Sequence, residues 1–146
     1  MRDANHTNRG FSLIELLIVL TMIAILVSIS MLILGLNPIR SANEASAIGA
    51  VRTLVTAERV YWITRGRGYY GDLGALGAEK LIDAPLAAGY RGGYSFVVTK
   101  EGDGFTITAT PASDRTGTRS FFADASGVIR GKAGPGAGVG DPPIGN

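Results

Sequence analysis

The sequence predicts an α+β fold in which a long N-terminal helix is packed on a small antiparallel sheet of about four strands. Three observations carry this expectation. Leu16 to Leu36 is a run of 21 residues without a charge. Beyond Pro38 the apolar residues recur at helical spacing, and from Tyr94 onward they alternate in short runs bounded by glycine. A chain of 146 residues supports one domain, or one domain plus an extended element of this kind.

The apolar run comes first. About 20 helical residues cross a hydrocarbon core of roughly 30 Å, and a soluble domain of this size has no interior that would hide 21 uncharged residues. Thr21, Ser28, Ser30 and Gly35 are tolerable within a membrane helix, because small polar groups bond back to the helix or pack against a neighbour. Arg2 and Arg9 precede the run, while beyond it Arg40 is answered by Glu44. That bias places the N-terminus in the cytoplasm and the C-terminal part outside.

A secretory signal peptide has its small-residue cleavage site after an apolar run of about 7–15 residues. Here the small residue, Gly10, stands before a longer run. Cutting after it removes only "MRDANHTNRG" and leaves the apolar segment on the mature chain. One acidic residue, Glu15, sits just ahead of the uncharged core. At the membrane interface its cost is modest, whereas in a water-free interior it needs a partner.

"RGFSLIELLIVLTMIAIL" resembles the N-terminal signature of type IV pilins and pseudopilins: a short charged leader, glycine, phenylalanine, then an apolar helix with glutamate at the fifth mature position. The match covers Arg9 to about Leu36, roughly the first quarter of the chain. The resemblance implies that a membrane-embedded prepilin peptidase cuts between Gly10 and Phe11 and methylates the new amino terminus of Phe11. It implies that Glu15 serves assembly, pairing with the amino terminus of an adjacent subunit and fixing its register. The implied partners are other copies of the chain and minor pilins in a helical filament, the peptidase, an inner-membrane assembly platform, and membrane lipid before assembly. The implied locations are the bacterial inner membrane and then an extracellular or periplasmic filament.

The remaining elements follow in order. Asn37-Pro38 interrupts the helix, because proline lacks a backbone donor and clashes with the preceding turn; a kink or short non-helical stretch is expected between Gly35 and Ile39. Helix then resumes, with Ile48, Val51, Val55 and Trp62 on one face and Arg52, Glu58, Arg59 and Arg65 mostly off it. It ends at "RGRGYYGD", where Gly66 and Gly68 are natural terminators. "DLGALGAEKLID" predicts a short helix with Leu73, Leu76 and Leu81 as its apolar face. "YSFVVT" and "FTITAT" alternate, with Tyr94, Phe96, Val98 and Phe105, Ile107, Ala109 facing one way; "KEGDG" between them is a hairpin loop. Two more strands, "RSFFADA" and "GVIR", meet at Ser126-Gly127. The expected organisation is a leader at 1–10, a transmembrane and filament-core helix at 11–37, an amphipathic outer helix at 38–66, a small α+β domain at 67–130 and a flexible tail at 131–146. The tail holds six glycines and three prolines, so it buries too little to offset its ordering entropy. The alternative is an extended segment lying on a neighbouring subunit.

Composition excludes several chemistries. There is no cysteine, and the one histidine, His6, lies in the leader. The mature chain therefore lacks the usual zinc ligands and the Ser-His and Cys-His nucleophile pairs, and an enzyme is not expected. A net charge of +2 does not indicate nucleic acid. No cofactor is expected; Asp103 in "EGDG" and Asp124 in "ADASG" are weak calcium candidates, with turn formation favoured for both. Tyr61, Trp62, Tyr69 and Tyr70 cluster where the helix ends, and core packing is favoured over a surface patch. The leading functional expectation is a structural subunit of a type IV pilus-like filament. A pseudopilin of a type II secretion system rests on the same residues, and a single-pass anchored binding module would leave Gly10, Phe11 and Glu15 without a purpose.

Overall fold

The computed structural model describes residues 11–33 and 37–145. The chain divides into two units, Met1–Asn37 and Pro38–Asn146. The first contains helix α1 (Leu13–Ile33). Its apolar residues surround the axis rather than forming a stripe, and Leu13–Ser30 is long and apolar enough to cross a membrane. The hydroxyls of Thr21, Ser28 and Ser30 each donate to a carbonyl three or four residues back at 2.8 Å, so these polar groups are satisfied within the helix.

The second unit is an α+β domain. Helix α2 (Pro38–Thr64) opens on proline at its first position, where the missing N–H costs no intrahelical bond. Asn37 before it is not helical, as the Asn37-Pro38 pair predicts; the Gly35 end of that expected break lies outside the described residues. Two short helices follow, α3 (Leu73–Ala78) and α4 (Ala84–Ala87). The sequence predicted only the first. Asp72 and Asp83 cap them, each side chain accepting from a backbone N–H three residues on.

The sheet has five strands in the order β1-β2-β3-β4-β5, all neighbours antiparallel: β1 (Tyr90–Arg91), β2 (Tyr94–Glu101), β3 (Gly104–Pro111), β4 (Arg119–Asp124) and β5 (Arg130–Ala133). The expected count of about four omitted β1, whose two residues are too few to show alternation. Hairpin β2–β3 turns tightly through Gly102 and Asp103, and Gly102 takes the positive φ of 53° that the first turn position requires. The last strand lies later than "GVIR". Asp124 Oδ1 accepts from Ser126 N at 2.9 Å and Gly127 adopts φ 81°, which lengthens the loop so that pairing resumes at Arg130.

One face of the sheet packs on α2. Val51, Leu54 and Val55 meet Tyr94, Phe96, Phe105, Ile107, Ala109, Phe121 and Ala123, all buried. Fully burying side chains such as Leu54 or Ile107 contributes about 1.5–3 kcal/mol each. Tyr94 donates its hydroxyl to Arg119 O at 2.9 Å, and burial, with Glu44 adding, pushes the phenol up to about 12. Two expectations about α2 are corrected here. Glu58 is wholly buried rather than off the packed face, and Trp62 is 43% exposed, at the margin of that face.

The C-terminal segment, expected to be a flexible tail, is folded back on the sheet. Ile144 N donates to Ile129 O at 2.8 Å and Gly131 N to Pro142 O at 3.1 Å. Ser120 Oγ donates to Gly134 O at 2.7 Å, and Ile144 packs against the core. Hydrogen bonds, with Ala137 buried and Ile144 packed on the core, thus offset the entropy that composition alone assigns to disorder.

Candidate functional site

The candidate site lies at the start of α1. Ser12 O accepts from Glu15 N at 3.0 Å and from Leu16 N at 3.1 Å, which closes the first helical turn. Glu15 stands in that turn, where a carboxylate is favoured by the unpaired N–H groups and the helix dipole. Phe11 precedes the helix and is 79% exposed, and Glu15 is exposed as well. From Leu16 to Ile33 no further charged residue occurs, so Glu15 is the only carboxylate of α1. Gly10, the expected cleavage position, lies outside the described residues.

A helix with apolar side chains on every side and one carboxylate at its end has two stable environments: lipid, with the carboxylate at the interface, or a bundle of like helices that supplies a cationic partner. Residues 5–31 match the family model described as the prokaryotic N-terminal methylation motif.

The chain carries a prepilin signature.

No curated protein and no solved structure matches the chain. The matched motif is the N-terminal signature found on precursors of type IV pilin and pseudopilin type. The apolar α1 fits anchoring in the inner membrane before assembly. The matched segment covers Phe11 and Glu15 together with the greater part of α1.

The other predicted positions separate. Asp124 spends Oδ1 on the backbone and hydroxyl of Ser126 within its own turn. Asp103 lies exposed in the β2–β3 turn. Among the described residues, no group of three or more His, Asp or Glu is assembled as a metal-ligand set. The aromatic cluster divides between the two readings: Tyr61 and Tyr70 pack on the core, whereas Trp62 and Tyr69 are exposed, at 43% and 76%. Tyr70 links the halves, stacking on Trp62 with ring centroids 6.5 Å apart and meeting Phe105 edge-on at 4.8 Å.

Glu58 is the residue that sequence reasoning placed on the wrong side of α2. Its Oε2 accepts from Gly71 N at 2.9 Å, while its Oε1 is buried without a hydrogen-bond partner. Burial, the largest influence, raises its pKa; the Gly71 N–H and Lys100 oppose this, and Asp72 adds to it. A signal was present in the sequence. Glu58 lies seven residues beyond Val51, two turns on, and so points the same way.

Proposed function

We propose that this chain is a structural subunit of a type IV pilus-like filament. Prepilin peptidase removes residues 1–10 by cutting after Gly10 and methylates the amino group of Phe11. The mature subunit waits in the inner membrane with its N-terminus cytoplasmic and its C-terminal domain outside. An inner-membrane assembly platform then moves it into a helical filament of its own copies and minor pilins. No cofactor enters this reading, and Asp124 is assigned to its own turn.

The observation that carries the proposal is the position of Glu15: one carboxylate in the first turn of a helix that is otherwise apolar on all sides. In lipid, that carboxylate reaches the interface. When α1 helices pack together and exclude water, it needs a positive partner, and the amino group created at Phe11 of a neighbouring copy provides one. A mismatched register would bury both charges unpaired, so the pair selects the correct step even if desolvation offsets its attraction. The cleavage step is tested with Gly10→Val, which removes the small residue at the cut. The expected result is uncut precursor retained in the membrane and no filaments. Normal cleavage and filament yield in that variant would refute the assignment of the site.

A further inference from the structure

We infer that Glu58 is a latch on the loop between α2 and α3, residues 65–71, which holds the loop closed while its carboxyl is neutral and releases it on ionisation. The loop is tightly folded. Gly66 N donates to Tyr61 O at 2.7 Å and Tyr69 N to Gly66 O at 2.9 Å. Arg67 and Gly68 both take left-handed backbone, with φ 48° and 91°, an unfavourable choice for arginine. A Cβ on Gly66 would lie 1.9 Å from Tyr69 O, so the chain passes over itself where only glycine fits. The loop's far end is tied to α2 by the bond from Gly71 N to Glu58 Oε2.

That bond has an unusual acceptor. Glu58 is 0% exposed, and its second oxygen has no partner. A neutral carboxyl suits this place: Oε2 accepts from Gly71 as a carbonyl, and Oε1 carries the proton. An orphaned hydroxyl costs less to bury than an orphaned charge. An ionised carboxylate keeps one donor, Gly71 N, and leaves its other oxygen as a buried, unpartnered charge, which favours opening of the loop to solvent. The glycines at 66, 68 and 71 provide the hinge.

Charged groups around Glu58 belong to three elements. Lys100 of β2 favours its ionised form, and Asp72, the cap of α3, opposes it. These two are themselves 3.9 Å apart and exposed, so each partly screens the other. Arg65 of the loop turns outward to Glu79, at 2.9 Å. Burial is the largest influence and raises the pKa above its ordinary value. The sign follows. For an acid whose folded value is raised, the stabilisation is fully present below the ordinary carboxylate value and is lost as pH rises through the folded value.

Trp62 is the only tryptophan of the chain, and it stacks on Tyr70 within this loop, so its fluorescence reads the latch directly. The experiment uses the full chain in detergent micelles, titrated from about pH 4 to about pH 9, a range that stays below tyrosine ionisation. The expected result is one emission transition with its midpoint above the ordinary carboxylate range. Glu58→Gln should abolish it. Asp72→Asn, which keeps the capping oxygen but removes the charge, should move the midpoint down, and Lys100→Met should move it up. These two changes lie at the surface, so they decide the matter even if Glu58→Gln does not fold. A flat wild-type titration, an unchanged transition in Glu58→Gln, or a midpoint unmoved by both surface changes would overturn the inference.

Discussion

Replacing Glu15 by valine separates membrane insertion from assembly. The change leaves α1 uncharged throughout, so insertion and cleavage after Gly10 should continue. Within the helix the loss is small: a carboxylate in the first turn contributes about 0.3–1 kcal/mol through the dipole. In the proposed filament the expected loss is larger. No other carboxylate lies between Leu13 and Ile33, so the incoming amino group at Phe11 has no substitute partner on this helix. Removing one member of a buried ion pair costs about 3–5 kcal/mol. At about 1.4 kcal/mol per tenfold, subunit addition weakens by roughly a hundred- to several-thousand-fold. Assembly therefore fails while the helix persists. Glu15→Asp keeps the charge with a shorter reach and should give an intermediate yield. The assay compares filament in sheared fractions with processed subunit in membranes. Normal filament yield from processed Glu15→Val protein would refute the pairing and leave Glu15 as a tolerated interfacial residue.

The other predictions concern the domain. Expressing only Ser41 to Asn146 should yield a soluble, folded monomer, because the polymerising surface is assigned to α1; sedimentation that showed unaided filaments of this fragment would contradict that assignment. Gly117→Val should lower the thermal midpoint of the domain by several degrees, since a Cβ there would stand 2.1 Å from the Tyr94 hydroxyl and disturb its bond to Arg119 O. An unchanged melting curve would mean that loop 112–118 shifts freely.

What the sequence reveals depends on how each element is stabilised. Helix α1 is legible because a run of 21 uncharged residues is too long for the interior of a domain this size. Hairpin β2–β3 is legible because Tyr94, Phe96, Val98 and Phe105, Ile107, Ala109 alternate on either side of Gly102-Asp103. The return of residues 134–145 to the sheet is not legible, since it relies on hydrogen bonds and on two scattered apolar residues, Ala137 and Ile144, which composition does not report. Strand β1 is hidden for a similar reason, being two residues long. Glu58 shows the limit of reading charge as exposure. Its position on α2 points inward, and only the placement of Gly71 reveals what the carboxyl holds. In the candidate site, the roles proposed for Phe11 and Glu15 rest on local pattern, which is how a processing signal is read. The conformation at Gly10 is not described.

The central claim is that this chain is a processed prepilin whose mature N-terminus begins the assembly helix. The most direct measurement is mass spectrometry of the mature protein, by intact mass and by sequencing its first peptide. The account predicts a chain lacking residues 1–10 that begins at Phe11 with one methyl group on its amino nitrogen. A mature protein that still begins at Met1, or one that begins beyond the apolar helix, would contradict it.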